Sequence, residues 1–162
     1  MRARPVAGDH KLAQRFAEAR RKVLCRPRDE TKLLQDVADM RQKMLAAQKP
    51  HADHEFDIKH DRGGIVDIEF MVQYWVLRGA HSHPALVEHT DNIAILEALV
   101  AAGLLEQTQS RLLADAYTHY LSAVYRLKLM QTGPYVDRDQ LQGYPDKVAA
   151  IWNTVFAQAD KG

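Results

Sequence analysis

The feature that most constrains the fold is a glycine pair followed at once by the most apolar stretch of the chain. Residues 65–80 include ten large apolar or aromatic residues, which sit on nearly every face of a helix. A helix that is apolar all round must be surrounded by other elements. Gly63-Gly64 directly precedes this stretch, and Gly79 marks its end. We therefore expect a buried central helix that is entered through a Gly-Gly loop.

Helical spacing also organises the rest of the chain. Four residues are candidate N-terminal helix caps, because their short polar side chains can accept hydrogen bonds from the free N–H groups of a first helical turn: Asp9, Asp29, Thr90 and Asp91. The stripe expected in the first helix is Leu12, Phe16, Ala19 and Val23. The stripe expected in the second is Leu33, Val37, Met40 and Met44. Gly103 is expected to end the helix that follows Asp91, because glycine readily adopts the left-handed conformation of a C-terminal cap.

These patterns predict an all-α fold, a bundle of about six helices. The longest helix is expected over residues 107–130, and at 1.5 Å per residue it would span ~35 Å. The whole chain, residues 1–162, is interpreted as one domain. Within it we expect a basic helical hairpin over 1–48, a loop over 49–64 and a helical core over 65–160.

Two details of this scheme concern the loop and its borders. Pro50 is expected to end the second helix, and Pro145 to open the last one. Phe56 and Ile58 alternate around Asp57, which indicates a short extended piece or a packed loop.

Charge and composition exclude several classes of protein. The formal net charge is +1, which argues against a dedicated nucleic-acid binder. No apolar run approaches the ~20 residues that span a bilayer. A single cysteine, Cys25, rules out an internal disulfide and is typical of a cytoplasmic protein. Residues 1–28 carry nine basic side chains against Asp9 and Glu18, which suits either a solvated helix face or a surface for an acidic partner or a nucleotide.

Residues 59–64 form the main candidate for a binding site. Gly63 and Gly64 lead into a helix N-terminus, which attracts anions, and Lys59 and Arg62 add positive charge just before it. The arrangement predicts a phosphate or carboxylate site, although the spacing is not that of a Walker loop. The structural alternative is a tight entry into the core helix, with Lys59 and Arg62 paired to carboxylates of that helix.

The carboxylates in question are Asp67 and Glu69. They are about 200° apart on a helix and cannot jointly hold one ion, so we expect them to anchor the loop through pairing with basic groups. A zinc site among the histidines of the two connecting loops is a separate alternative. Asp137 and Asp139 form a D-x-D pattern in an expected loop without a preceding strand, so neither a catalytic nor a metal-binding residue is assigned.

A longer motif indicates a family. Residues 56–73 read FDIKHDRGGIVDIEFMVQ and resemble the K-x-G-R-G-G-I-x-D-I-E-F segment of glutamine synthetase adenylyltransferases, also called bifunctional adenylyltransferase/adenylyl-removing enzymes. Further segments that look like this family are residues 2–9, 26–29, 90–93, 96–99 and 151–156. Asp61 stands where the family usually has glycine, and we expect it to reduce backbone freedom there.

The resemblance implies a function for the parent protein. Such enzymes transfer AMP from ATP to a tyrosine of glutamine synthetase and remove it by phosphorolysis, using Mg²⁺ held by a G-S…D-x-D motif. That motif is missing here, so the resemblance implies a C-terminal helical accessory domain, excised from a larger enzyme and inactive alone. Met1 falls inside what would be a continuous helix of the parent.

The resemblance also implies partners and a regulatory role. The partners would be the protein's own nucleotidyltransferase domain, glutamine synthetase and the PII signal protein, with glutamine as an effector. Lys59 and Arg62 would face the nucleotidyltransferase domain, and Asp67 and Glu69 would hold their loop. Two other hypotheses are a self-sufficient enzyme with a metal centre in the histidine loops, and an interaction module that docks through its basic N-terminal face.

Overall fold

The computed structural model describes residues 3–48, 50–52 and 54–157. Within them the α-helices are α1 (His10–Leu24), α2 (Glu30–Ala46), α3 (Ile65–Gly79), α4 (Asn92–Ala101), α5 (Gln107–Met130) and α6 (Tyr144–Phe156). Two short 3-10 helices cover Pro84–Val87 and Arg138–Leu141, and two strands, β1 and β2, cover Glu55–Asp57 and Tyr135–Asp137. The prediction of a mostly helical bundle is confirmed.

Helix α3 is the centre of this bundle. It packs against α2, α4, α5 and α6. Ile68, Met71 and Val72 are completely buried, and Trp75 is almost so. Burying each such side chain contributes roughly 1.5–3 kcal/mol. The apolar run that follows the glycine pair therefore organises the core, as its sequence predicts.

The helix starts follow the predicted caps. Asp9 accepts the backbone N–H of Leu12 (2.9 Å), and Asp29 accepts that of Lys32 (2.8 Å). Of the alternatives Thr90 and Asp91, the cap is Asp91, whose carboxylate accepts the N–H of Ala94. Three further predictions agree with the structure: Gly103 has a φ of +70°, α5 covers Gln107–Met130, and α6 begins one residue before Pro145.

The core face of α2 differs from the predicted stripe. Met40 and Met44 are 58% and 37% exposed, whereas Leu33 and Val37 pack against the core. The buried position that continues this face is Arg41, which follows Val37 by one helical turn. The end of α2 was also placed wrongly, because the helix stops at Ala46 and does not continue to Pro50.

The two strands form an antiparallel pair. Phe56 lies opposite Val136, flanked by the pairs Glu55–Asp137 and Asp57–Tyr135. The extended piece around Phe56 is thus real, and both Phe56 and Ile58 are fully buried. The partner strand was not predicted. Asp137 ends that strand and Asp139 lies in a 3-10 helix, so the expectation of a loop at this place is wrong.

Helix α1 contacts the bundle through Leu24, which packs against the core, and through Arg20. None of its residues is buried, and Leu12 and Phe16 of its apolar stripe are 65% and 40% exposed. The Arg20 guanidinium donates to the carbonyl oxygens of Val87 and His89, the latter at 3.2 Å. Among the described residues, no helix is long and apolar enough to cross a membrane.

Candidate functional site

The loop between β1 and α3 is built around the Asp57 carboxylate. This buried group accepts the backbone N–H groups of Lys59 (2.9 Å) and His60 (3.0 Å) and contacts the His60 ring at Nδ1 (3.1 Å). An aspartate that bonds to amides two and three residues ahead folds the chain into a tight turn. Asp57 therefore fixes the backbone that carries Lys59.

A buried ion pair holds the second half of the loop. The Arg41 guanidinium donates through Nε to Asp67 Oδ1, and these side chains are 1% and 0% exposed. Arg41 Nη2 donates to the carbonyl oxygens of His60 (2.8 Å) and Asp61 (3.1 Å). Asp67 Oδ2 accepts the N–H of Gly63 at 2.6 Å. One arginine from α2 and one aspartate from α3 thus hold the backbone of residues 60–63 in place.

Sequence reasoning missed Arg41. The expectation that Asp67 pairs with a basic group holds, but the partner is Arg41 of α2 and not Lys59 or Arg62, which the structural alternative offered. A signal was present, because Arg41 follows Leu33 and Val37 at intervals of four residues, on the buried face of the helix. An arginine in such a position must be paired, since burying an unpaired charge is costly.

The two glycines are required by contacts within the chain. Gly63 has a φ of +87°, and a Cβ atom on it would collide with the backbone carbonyl of Pro145 in α6. Tyr120 of α5 donates its hydroxyl hydrogen to the Gly63 carbonyl oxygen at 2.9 Å, and burial raises the pKa of this phenol. A Cβ on Gly64 would come within 2.6 Å of the Ile58 carbonyl oxygen. Both glycines therefore allow close backbone packing.

The amides at the start of α3 are already bonded to the loop. The Gly64 N–H donates to the carbonyl of Asp61 (2.9 Å), that of Ile65 to Ile58 (2.9 Å) and that of Val66 to Lys59 (3.1 Å). With the Gly63 N–H on Asp67, four successive amides have acceptors in this chain. An anion near this loop would consequently be met by the side chains of Lys59 and Arg62.

Lys59 and Arg62 are both exposed, and each lines a different depression of the surface. Arg62 borders a cleft of about 310 Å³ between α2 and α6, with Gln42 and Asn153 at its edge. Its guanidinium carbon lies 5.8 Å from the centre of the Trp152 ring. Among the described residues, no carboxylate pairs with Arg62. Arg62 is therefore an exposed guanidinium within cation–π distance of Trp152, with its charge available to a partner.

Lys59 borders a larger depression, which we call the α3–α5 groove. It has a volume of about 490 Å³ and is lined by the 57–60 turn, the first turns of α3, one face of α5 and residues 132–134. Glu69 lies in this groove and accepts the Tyr117 hydroxyl at 3.3 Å. Glu69 thus contacts α5, whereas Asp67 bonds directly to the loop. The groove and the Arg62 cleft share no lining residue.

Asp61 adds its own bonds to the loop. Its carboxylate accepts the Asp57 N–H (2.8 Å) and pairs with His51 Nε2 (3.0 Å). Among the described residues other than glycine, only Gln131 and Gln142 have positive φ, so the backbone of Asp61 needs no glycine. The side chain reinforces the turn, and the expected loss of freedom has no steric consequence.

The His51–Asp61 pair leads to a pH-dependent prediction. The Asp61 carboxylate accepts a hydrogen bond from the His51 ring and so raises the pKa of His51 above 6.5, which means that the folded chain binds this proton more tightly than the unfolded chain. The resulting stability is fully present below the unfolded pKa and is lost as the pH rises through the raised pKa. We expect His51→Gln to lower the free energy of unfolding more at pH 5.5 than at pH 8.5. Urea unfolding at both pH values measures this, and an equal loss at both would contradict it.

Other histidines bond to local acceptors. His81 Nδ1 lies 3.2 Å from the Cys25 carbonyl oxygen, and His60 contacts Asp57. In the part of the chain that the structure describes, no group of three or more His, Cys, Asp or Glu residues is placed to hold a metal ion. Asp53, which belongs to the histidine-rich loop, lies outside the described residues.

Comparison with known proteins defines the class of this helical domain. Residues 32–135, more than half of the 162-residue chain, match the model of the family described as GlnD PII-uridylyltransferase. The chain belongs to this family.

Individual relatives narrow the assignment. A protein of Thioalkalivibrio sulfidiphilus is 44% identical over 98% of this chain, and one of Nitrosococcus oceani is 44% identical over 96%. A third, from Pseudomonas aeruginosa, is 43% identical over 94%. Each is named bifunctional glutamine synthetase adenylyltransferase/adenylyl-removing enzyme, so the resemblance to that family is confirmed. The chain spans only 16–17% of the length of these relatives.

Proposed function

We propose that this chain acts as a helical accessory and regulatory domain of a cytoplasmic glutamine synthetase adenylyltransferase, on the C-terminal side of a nucleotidyltransferase domain. The names of its relatives support the family, and the geometry of the 57–64 loop supports the role. The parent enzyme would transfer AMP from ATP to a tyrosine of glutamine synthetase and remove it by phosphorolysis. The chain would assist that chemistry without supplying reacting groups.

The residues that the structure describes do not fit a magnesium–ATP centre. Asp137 Oδ1 accepts the backbone N–H of Asp139 at 3.0 Å, so the D-x-D letters serve a local turn. Four amides that could have cradled phosphate at the start of α3 are bonded within the loop. In the proposed function, ATP and Mg²⁺ bind to the nucleotidyltransferase domain of the parent.

The proposal rests on Arg62, which is exposed, lies near Trp152 and has no carboxylate partner among the described residues. The backbone that carries it is held by Arg41 and Asp67, and its guanidinium carbon lies within cation–π distance of the Trp152 ring, 5.8 Å from the ring centre. An exposed guanidinium without a carboxylate partner in the described part of the chain can donate its N–H groups to a phosphate or carboxylate. We infer that Arg62, with Lys59 on the neighbouring side of the loop, meets the nucleotidyltransferase domain or the triphosphate that it holds.

The exposed stripe of α1 supports a partner on a second surface. Leu12 and Phe16 stand in a helix without buried residues, beside basic side chains such as Arg15. An amphipathic face of this kind suits a partner that is apolar at its centre and acidic at its rim. In the parent enzyme the nucleotidyltransferase domain would cover it. In the alternative function, an interaction module, a separate protein would dock there.

Replacing Arg62 tests the proposed role at the domain junction. In a full-length adenylyltransferase that carries this domain, we expect Arg62→Ala to lower AMP transfer by about tenfold or more, because a hydrogen bond to a charged group contributes about 1.5–3 kcal/mol. The free energy of unfolding should fall by less than about 1 kcal/mol, the contribution of an exposed cation–π contact. Arg111→Ala, an exposed arginine on α5, is the matched control. Equal losses of activity and stability would assign Arg62 a structural role only.

A titration tests the regulatory part of the proposal. We expect the 162-residue chain to bind unmodified PII protein in a calorimeter, and to bind it more tightly when glutamine is present. Such a result would place signal reception within this domain. If a folded chain binds no PII with or without glutamine, the regulatory role is contradicted and an accessory, structural role remains.

A further inference from the structure

The α3–α5 groove has the dimensions of a small-molecule site. Its volume of about 490 Å³ falls within the range of roughly 300–1,000 Å³ that ligand pockets occupy. Tyr117, Leu121, Val124 and Lys128 follow one another along a single face of α5 and line it. The leucine and the valine are half-buried, so they form an apolar floor that water still reaches.

The acidic side chains around this apolar floor already have hydrogen-bond partners, whereas two basic side chains are exposed and can meet a ligand. The Asp57 carboxylate already has three contacts within its own turn, and Glu69 accepts the hydrogen bond of Tyr117. Lys59 and Lys128 are exposed, and neither is paired with a carboxylate of the described residues. The Lys128 ammonium lies 5.9 Å from the Tyr125 ring centre. The groove thus offers two available cations above an apolar surface.

We propose that the α3–α5 groove binds a small organic anion, one with an apolar body that lies on Leu121 and Val124 and an acidic group that meets Lys59 and Lys128. The groove and the Arg62 cleft have no lining residue in common. Lys59 enters both proposals, but the tests of the groove use Lys128 and Glu69, so its failure is distinguishable from failure of the proposed function. The apolar body supplies most of the affinity, and the lysines select ligands with an acidic group.

Two related dyes test this selection in the 162-residue chain. 8-Anilino-1-naphthalenesulfonate carries an apolar body and a sulfonate, and N-phenyl-1-naphthylamine has nearly the same body without the charge. We expect one saturable site that binds the sulfonate more tightly than the neutral dye. Lys128→Glu should lower the affinity for the sulfonate dye by at least about fivefold, because it reverses the charge that the sulfonate meets. The affinity for the neutral dye should stay almost unchanged.

A matched variant excludes a general effect of surface charge. Arg126 is exposed on another face of α5 and does not line the groove, so Arg126→Glu should change sulfonate affinity by less than about twofold. Equal weakening by the two variants would overturn the proposal. It would also be overturned if neither dye bound saturably, or if the chain did not prefer the sulfonate.

Glu69 provides an independent test with the opposite sign. Glu69→Gln retains an oxygen that can accept the Tyr117 hydroxyl and removes a negative charge from the groove. We expect sulfonate affinity to rise by about threefold or more, because repulsion of the bound anion is removed. Affinity for the neutral dye should stay the same. Unchanged sulfonate affinity in a variant with normal thermal unfolding would contradict the placement of the acidic group.

Discussion

Replacing Asp67 with alanine is expected to lower the free energy of unfolding by about 3–5 kcal/mol, because it leaves the buried Arg41 guanidinium without its counter-charge. The same change removes the acceptor of the Gly63 N–H. Urea unfolding followed by circular dichroism measures the loss. The expected loss is a large part of the stability of a domain of this size, so Asp67→Ala would be close to unfolding at 37 °C.

A control and a second variant make this result specific. Glu69→Ala removes a carboxylate two residues away that is only partly buried, and we expect it to cost much less. Arg41→Met with Asp67→Leu removes both charges together, so it should cost less than Asp67→Ala, although the Gly63 N–H still loses its acceptor. If Asp67→Ala cost under about 1 kcal/mol, the ion pair would not hold the loop.

Replacing Gly63 with alanine should destabilise the chain by about 3 kcal/mol. A left-handed backbone costs an L-residue roughly 1–2 kcal/mol, and forcing an extra methyl group into a packed core costs about 1–3 kcal/mol more. Here the added Cβ would meet the carbonyl of Pro145, so the α3 loop and α6 would have to separate. Thermal and urea unfolding report the change.

Gly103 is the matched control for Gly63. It also has a positive φ, +70° against +87°, but an added Cβ there would have no heavy atom within 4 Å. Gly103→Ala should therefore show only the conformational cost of roughly 1–2 kcal/mol. The difference between the two variants isolates the close approach of the loop to α6. Equal losses would mean that backbone conformation alone accounts for Gly63.

Asp67 and Gly63 support the loop at the proposed junction, and neither is expected to contact the partner. Arg41, Asp67 and Gly63 determine where Lys59 and Arg62 stand, because they fix the backbone on both sides of those residues. A loss of AMP transfer in Asp67→Ala or Gly63→Ala would thus follow from lost structure. Arg62→Ala, in which the loop stays clamped, reports directly on contact with the partner.

The candidate site was only partly predictable from the sequence. The glycine pair, the two basic side chains and the need of Asp67 for a partner are all visible in residues 59–69. The identity of that partner is not visible there, because Arg41 is 26 residues away on another helix. The division of Lys59 and Arg62 between two depressions also depends on neighbours, namely α5 for one and α6 for the other.

Sequence alone determined the helices, their caps and the central place of α3. Capping hydrogen bonds join residues three positions apart, and apolar periodicity acts within a single helix, so both can be recognised locally. Only the tertiary structure decided the pairing of β1 with β2, the buried face of α2 and the Arg41–Asp67 clamp. These features join segments that are distant along the chain, and they depend on which faces meet when the helices pack together.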